Sequence, residues 1–265
     1  MARVTLGTVI EDTVHGVSYR LFDRLGSGGF GDAYLACEVD SDDDPIPGTE
    51  CCLKLSIHDD EWHGEVYFSN LLRGQAHVVQ MLSAFPAEAR VQGKKRVVFA
   101  IQMEYIQDGT VRDLVMNDEL PWTEEQIRRR VRLLLEPLAV LHDRGISHRD
   151  VTPANVFVAP RKVLKLGDFG ITKAQLKVSG VHADALNPYF APRDLGTFWR
   201  PADDVYQAGL LMATLASGEL MGTEMGKVAV NQFTTKGKLR DAIKAAISPK
   251  SQRPQTARDM IKLLA

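Results

Sequence analysis

Cysteine is scarce in this sequence, which has only Cys37, Cys51 and Cys52 among 265 residues. So few thiols, two of them adjacent, provide neither a disulfide framework nor a set of four metal ligands. Adjacent residues on a strand point to opposite faces, so Cys51 and Cys52 are not expected to bond each other. We therefore expect a reducing compartment and a cytoplasmic location.

An excess of charge and a long apolar run are also missing. The 32 Lys and Arg residues against 34 Asp and Glu residues give a net charge of −2, so no overall field attracts nucleic acid or anionic lipid. No stretch reaches the ~18 apolar residues of a membrane span. The mix of 45% hydrophobic and 25% charged residues predicts a soluble globular protein without a nucleic-acid partner or a membrane span.

The hydrophobic period changes near residue 109, which separates a strand-rich part from a helical part. Short alternating runs predict strands around residues 19–25 and at 33–39, 51–56, 78–85 and 96–105. Asp59 is a candidate N-cap for a helix that continues to Leu72.

The helical part begins with a capping-box pattern, Thr123 and Gln126, before a long apolar stripe in which Pro137 predicts a kink. Further helices are predicted near 202–217, 239–247 and 256–264. Together these patterns predict an α+β chain with a strand-rich part and a helical part that join near residues 104–109.

A glycine cluster at residues 26–31 contains the pattern G-x-G-x-x-G. In dinucleotide-binding folds such a pattern opens a helix, but residues 32–36 read as extended chain, so that interpretation is rejected. The Gly-Lys-Ser/Thr of a P-loop is absent from the sequence as well. A glycine loop between two antiparallel strands can instead bind phosphates through its backbone N–H groups.

Lys54 lies in the next predicted strand, where it can serve as a cation for such a phosphate. A lysine in that role needs a carboxylate to orient it, and the following helix offers Glu61 and Glu65. They are four residues apart and share one helix face. We favour Glu65, because Glu61 is only seven residues from the lysine and has little chain with which to turn back.

Two further motifs follow the long helix. Residues 147–155 read Ser-His-Arg-Asp-Val-Thr-Pro-Ala-Asn, and residues 165–170 read Lys-Leu-Gly-Asp-Phe-Gly. In this order, after a glycine loop and a strand lysine, the motifs resemble the protein kinase family, specifically the Ser/Thr protein kinases of the bacterial and eukaryotic type. The resemblance runs from about Tyr19 to the C-terminus and implies the bilobal protein-kinase fold, with residues 1–265 as a single domain. Its implied parts are an N-terminal extension at 1–16, an antiparallel N-lobe with one helix at 17–105 and a larger, mainly helical C-lobe at 106–265.

The resemblance implies a role for each matching residue. Asp150 matches the catalytic base, Lys54 and Glu65 match the phosphate-binding lysine and its partner, and Thr152 lies beside the base. Asn155 and Asp168 match the metal ligands. The implied nucleotide-binding residues are Gly26, Ser27, Gly28, Gly29, Phe30, Gly31, Ala33, Cys52, Lys54, Met103, Glu104, Ile106 and Phe157. The implied cofactors are ATP and Mg²⁺ or Mn²⁺, and the implied partner is a protein substrate.

The residues expected around adenine depart only slightly from the family pattern. Glu104 and Ile106 fall where the hinge backbone binds adenine, and Met103 falls at the gatekeeper position. Ala33 and Cys52 stand where the family more often has Val and Ala. This swap conserves volume, which cores tolerate, so we expect an intact, slightly reshaped purine pocket.

Two departures affect the catalytic network itself. Thr152 replaces the usual Lys, and Leu186 replaces the usual Thr, which in the family bond each other and the catalytic Asp. One interpretation is degradation to a pseudokinase, and another is that Thr152 supplies the missing hydroxyl. Loss of one preorganised donor typically costs about 10²–10³ in rate, so we favour a working but slow kinase.

Two further departures concern stability and regulation. Arg193 replaces the Glu that pairs in the family with the arginine matched by Arg253, and we hypothesise that Asp194 pairs with Arg253 instead. Ser69 stands where the family packs a bulky apolar side chain, which predicts a loosely held helix.

Arg149 is typical of kinases that are switched by phosphorylation of the activation loop. The available acceptors are Thr172 and Ser179, and ordinary loop hydroxyls are an equally weighted alternative. We also expect regulation by the loop itself or by a separate regulatory protein.

We therefore expect transfer of the γ-phosphoryl group of Mg-ATP to Ser or Thr hydroxyls of a protein. The first alternative is a pseudokinase that acts as a nucleotide- or protein-binding module. A small-molecule kinase is the third choice, because that group normally lacks the glycine loop and the Ala-Pro segment seen at residues 191–192.

Overall fold

A computed structural model describes residues 3–28, 31–119, 122–174, 186–224 and 237–265. The chain forms two compact units, the first comprising Met1–Arg73 and Val79–Tyr105 and the second comprising Gly74–Val78 and Ile106–Ala265. The division after Tyr105 falls within the join expected from the sequence. Residues 74–78 belong to the second unit because Leu166 donates its N–H to the carbonyl of His77 at 2.9 Å.

Six antiparallel strands form the sheet of the first unit, in the order β1-β2-β3-β4-β6-β5. They are β1 (Val9–Asp12), β2 (Val17–Gly28), β3 (Gly31–Val39), β4 (Cys51–Ser56), β5 (Met81–Val91) and β6 (Lys94–Glu104). The sheet curls so that β1 packs against β5, and Val4 forms a bridge with Val91. The predicted α+β class, with strands before helices, is confirmed.

The core of the first unit fills one face of the curled sheet. Alternate residues of β4 show this clearly, because Leu53 and Leu55 are fully buried while Cys52 and Lys54 lie on the other, half-buried face. Side chains of β2, β3, β5 and β6 complete the cluster, among them Leu21, Tyr34, Phe85 and Ala100. The half-buried face carries four of the expected nucleotide-binding residues, Ala33, Cys52, Lys54 and Met103.

The segment before residue 17 is part of this core, although the sequence suggested only an extension. Val4 and Ile10 are buried. The hydroxyl of Tyr34 accepts a hydrogen bond from the backbone N–H of Val4 at 2.9 Å and donates one to its carbonyl at 3.3 Å. The N-terminal segment therefore closes the sheet instead of extending from it.

Helix α1 (Asp59–Leu71) follows β4 in the first unit. The prediction of Asp59 as N-cap is wrong by one residue, because His58 holds that position and makes no side-chain capping bond. Asp59, Asp60 and Glu61 lie in the first turn, where negative charge interacts favourably with the helix dipole. The helix start is thus stabilised by charge instead of by a cap.

The second unit is mainly helical, as predicted. Its helices are α2 (Val111–Met116), α3 (Glu124–His142), α4 (Pro201–Ser217), α5 (Lys238–Ala246) and α6 (Ala257–Leu264). The capping box at the start of α3 is confirmed by reciprocal bonds between Thr123 and Gln126, at 3.0 and 3.2 Å. The helix continues through Pro137 without ending there. Helix α4 is buried over nearly its whole length and forms the centre of this unit.

Two short strand pairs position the loops of the second unit. Strands β7 (Ile146–Ser147) and β10 (Lys173–Ala174) pair with each other, as do β8 (Val156–Ala159) and β9 (Val163–Leu166). Within the described ranges, no helix combines the length and apolar character needed to cross a membrane.

Candidate active site

The glycine cluster lies at the end of the β2–β3 hairpin, where Gly28 pairs with Gly31 and Ser27 with Asp32. Gly31 has φ +139°, and a Cβ atom there would lie 2.4 Å from the carbonyl oxygen of Leu55. Only glycine fits this position. The chain continues as an antiparallel strand, which confirms the rejection of the dinucleotide-binding pattern. Gly29 and Phe30 lie outside the described residues.

Lys54 and Glu65 form a buried ion pair in the first unit. The Nζ atom of Lys54 lies 2.8 Å from each carboxylate oxygen of Glu65, and the two side chains are only 12% and 5% exposed. The preference for Glu65 over Glu61 is therefore confirmed. Because desolvated charges must be paired, this contact fixes the lysine ammonium in one position on β4.

The other residues expected near a nucleotide occupy the half-buried face or the chain around Tyr105. Cys52 is paired in register with Met103, and Ala33 with Lys54. The carboxylate of Glu104 accepts the N–H of Gln80 at 2.7 Å. In the second unit, Ile106 is buried and Phe157 of β8 is half-buried. Their roles with adenine stay predictions.

Trp62 attaches helix α1 to the sheet of the first unit, a contact that the sequence did not reveal. Its indole N–H donates to the carbonyl of Ala100 in β6 at 2.9 Å, and its ring centroid lies 5.5 Å from that of Phe99. Trp62 and Glu65 are three residues apart on the helix, so they share a face. Ser69, expected to leave this helix loosely held, is itself buried.

The candidate catalytic loop, residues 148–155, surrounds Asp150 in the second unit. The amide Nδ2 of Asn155 donates to Oδ2 of Asp150 at 2.7 Å. Oδ1 of Asp150 is buried and has no hydrogen-bond partner among the described residues. Asn155 thus fixes one carboxylate oxygen, while the other makes no hydrogen bond to the described residues.

The pKa of the Asp150 carboxyl lies well above the usual value for an aspartate. Burial, followed by the neighbouring Asp168 carboxylate, raises its pKa to about 7, although the hydrogen bond from Asn155 and the nearby Thr152 hydroxyl oppose the shift. That Thr152 supplies the missing hydroxyl of the network stays a prediction. A carboxyl with a pKa near neutrality is suited to proton transfer at physiological pH.

Asn155 and Asp168 are the candidate metal ligands. The N–H of Gly167 donates to the carbonyl of Asn155 at 2.9 Å, which brings the two loops together at one end of the β8–β9 pair. Asp168 has φ +59° and its Oδ1 accepts the N–H of Gly170 at 3.2 Å. Because the amide nitrogen of Asn155 bonds Asp150, its amide oxygen is left for a hard cation.

These two ligands fit a divalent cation only with help from other groups. In the part of the chain that the structure describes, no three His, Cys, Asp or Glu side chains cluster as a metal site. Mg²⁺ commonly combines one or two protein carboxylates with substrate phosphates, so such a donor set fits a metal that arrives with a nucleotide.

Arg253 pairs with Asp194, as hypothesised. Its Nη2 lies 2.9 and 3.1 Å from the two carboxylate oxygens of Asp194, and its Nη1 lies 3.2 Å from Asp203. Arg193 instead forms an exposed pair with Glu224. The carboxylate that neutralises the buried guanidinium has therefore moved by one position along the chain.

Of the two candidate phosphorylation sites, Thr172 lies in the part of the chain that the structure describes. Thr172 is buried, and its N–H donates to the carbonyl of Phe169 at 3.1 Å. In this conformation its hydroxyl is not accessible to another kinase. Ser179 lies outside the described residues, and Leu186 is half-buried.

The chain was compared with known proteins. A sequence model of the family described as "Protein kinase domain" matches residues 19–265. The putative cyclin-dependent kinase F-2 of Oryza sativa subsp. japonica is 29% identical over 221 residues, which are 76% of this chain and 62% of that protein.

Two bacterial relatives are similar to this chain at a comparable level. The serine/threonine-protein kinase pkn2 of Myxococcus xanthus is 28% identical over 214 residues, 76% of this chain and 24% of that protein. The serine/threonine-protein kinase PknL of Mycobacterium tuberculosis (strain H37Rv) is 27% identical over 214 residues, 79% of this chain and 51% of that protein. The chain spans less than two thirds of the length of each relative.

Replacement of Trp62 tests its part in holding helix α1. Trp62→Phe keeps a ring beside Phe99 but removes the hydrogen bond to Ala100, which is worth about 1 kcal/mol. Amide exchange in the last two turns of α1 should become about fivefold faster, and faster still in Trp62→Ala. Tyr67→Phe, an exposed change on the same helix, is the control. Equal exchange in all variants would show that Trp62 does not hold the helix.

The raised pKa of Asp150 predicts a pH-dependent loss of stability in metal-free buffer. The folded state holds the proton up to about pH 7, whereas an unfolded Asp releases it near pH 4, so stability falls as pH rises between these values. Asp150→Asn should therefore be more stable than the wild type by about 2–4 kcal/mol at pH 8 and by much less at pH 5. Urea denaturation at both pH values measures the difference.

Asp143→Asn is the control for this experiment. Asp143 is exposed and its hydrogen bond from Arg258 lowers its pKa, so its replacement should bring no gain of stability at high pH. A stability difference for Asp150→Asn that does not change between pH 5 and pH 8 would contradict the prediction.

The Asp194–Arg253 pair makes the residue at position 193 dispensable for stability. Arg193→Glu, which restores the family residue, should change the free energy of unfolding by less than about 0.5 kcal/mol, as exposed substitutions usually do. Asp194→Asn should lower it by about 1 kcal/mol, because Asp203 still neutralises Arg253. Urea denaturation of the two variants is the measurement, and a larger loss in Arg193→Glu would refute the assignment.

Proposed function

The chain belongs to the protein kinase family, and from this we propose that it transfers the γ-phosphoryl group of Mg-ATP to Ser or Thr hydroxyls of a protein substrate. The observation that carries the proposal is the formed Lys54–Glu65 pair, at 2.8 Å to both carboxylate oxygens. A protein that only binds a partner has no need to desolvate two charges in order to orient a lysine. Relatives named as serine/threonine-protein kinases support the choice of acceptor.

The roles of the residues follow from the chemistry of phosphoryl transfer, which requires positioning and neutralisation of charge. Lys54, held by Glu65, contacts the phosphates of the nucleotide, and the N–H groups of the glycine loop support them. Asn155 and Asp168 hold Mg²⁺ or Mn²⁺, which neutralises charge on the phosphates when bound. Asp150 orients the acceptor hydroxyl through its carboxylate and accepts its proton.

The absence of the usual Lys at position 152 reduces the rate in this proposal but does not abolish the reaction. Asn155 still hydrogen-bonds Asp150 at 2.7 Å, so the base stays positioned, and only a cation beside the transferred group is missing. Loss of one such stabilising group typically costs about 10²–10³ in rate. A pseudokinase remains the second candidate, because Leu186 also replaces a hydroxyl of the same network.

Labelled ATP with Mg²⁺ and myelin basic protein as acceptor tests the proposal. The wild type should incorporate phosphate on Ser or Thr, and Asp168→Asn should reduce incorporation at least about 100-fold because a metal ligand is lost. Asp143→Asn, an exposed change of the same type, should leave incorporation unchanged.

Nucleotide binding separates the two candidate functions. A rise in melting temperature with Mg-ATP, together with incorporation no higher than in Asp168→Asn, would identify a pseudokinase. No rise and no incorporation would contradict both the kinase and a nucleotide-binding pseudokinase.

A further inference from the structure

Gln207 is a buried polar residue that the proposed reaction does not use. It lies on α4 one turn after Asp204, and its side chain is almost fully buried. Its Oε1 accepts the backbone N–H of Val151 at 2.9 Å, and its Nε2 donates to the carbonyl of Arg149 at 3.0 Å. The two bonds therefore reach the residues on both sides of Asp150.

Each backbone N–H group from His148 to Val151 donates a hydrogen bond to a side chain. Those of His148 and Arg149 donate to Asp204 at 2.7 and 2.9 Å. That of Asp150 donates to Nδ1 of His148 at 3.3 Å. The N–H of Val151 is the one that Gln207 accepts. Without Gln207 this group would be buried and unsatisfied, at a cost of about 1–3 kcal/mol.

The conformation of the loop explains why such support is needed. Arg149 has φ +75°, in the left-handed region that a side chain other than glycine rarely adopts. Such a conformation costs about 1–3 kcal/mol and persists only where the surroundings over-determine it. The N–H of Arg149 is fixed by Asp204 and its carbonyl by Gln207, so both of its backbone groups are held by α4.

We propose that Gln207 is a positioning residue for the catalytic base Asp150, a role that rests on the proposed function. Its amide provides one acceptor and one donor, which match the N–H of Val151 and the carbonyl of Arg149. It acts through the backbone and not on the substrate. Misplacement of a catalytic group by about 1 Å can cost about 10²-fold in rate, so loss of this support lowers kcat without changing affinity for ATP.

The test replaces Gln207 by a side chain of similar length that forms no hydrogen bonds. Gln207→Met should accelerate amide exchange at Val151 at least about 10-fold. It should also lower kcat about 10–100-fold while KM for ATP stays within about twofold. Gln207→Glu, which keeps the acceptor for Val151, should show slower exchange at that amide than Gln207→Met does.

Thr214→Val is the matched control on the same helix. Thr214 is also buried, and its hydroxyl accepts the N–H of Met221 at 3.0 Å, away from the catalytic loop. This variant should lose stability while kcat and exchange at Val151 stay at the wild-type values. A loss of kcat as large in Thr214→Val as in Gln207→Met would overturn the proposal, since general destabilisation would then explain both.

The exchange measurement keeps this proposal separate from the proposed function. If the wild type transfers no phosphate, the proposed function fails, and Gln207 is then no positioning residue for catalysis even if it orders the loop. If the wild type is active but Gln207→Met leaves both kcat and exchange at Val151 unchanged, the positioning role alone is refuted.

Discussion

The buried carboxylate of Asp204 is the contact on which the second unit depends, because it joins segments that are far apart in the sequence. Burial alone would raise its pKa, but its hydrogen bonds hold the pKa below the usual value, so the group stays charged. The ring of His142 also accepts the N–H of Ala257 through Nδ1 at 3.0 Å, which extends the network to α6. The donors to Asp204 are His142 Nε2, the N–H groups of His148 and Arg149, and the indole N–H of Trp199.

In the first unit, helix α1 has little apolar surface with which to pack against the sheet. Its buried residues are Glu65, Phe68 and Ser69, of which only one is apolar. A desolvated ion pair is a poor source of stability, because the cost of removing two charges from water offsets their attraction. Trp62 therefore supplies what the ion pair does not, a directional bond and ring packing that hold Glu65 opposite Lys54.

Local patterns of residue type and spacing in the sequence predicted several features of the structure. The capping box at Thr123 and the choice of Glu65 each follow from residue types at short separations. The pairing of Asp194 with Arg253, 59 positions apart, was predicted only because the family resemblance indicated which arginine lacks its usual partner. Strand β1 was missed because four residues ending in Asp12 show no clear alternation. The contacts of Trp62 and Gln207 join residues 38 and 56 positions apart, and no local signal distinguishes such a side chain from any other core residue.

The two departures from the family pattern have different physical consequences. Loss of the Glu at position 193 would leave the buried guanidinium of Arg253 with Asp203 alone as its counter-charge, and Asp194 provides the second carboxylate. Thr152, at the position of the usual Lys, is neutral, and burial together with the Asp168 carboxylate raises the pKa of Asp150 to about 7. Below that pH the carboxyl is protonated and needs no counter-charge, so the fold tolerates a neutral residue at position 152. The first departure is compensated by a neighbouring carboxylate, whereas in the proposed function the second lowers the rate of phosphoryl transfer.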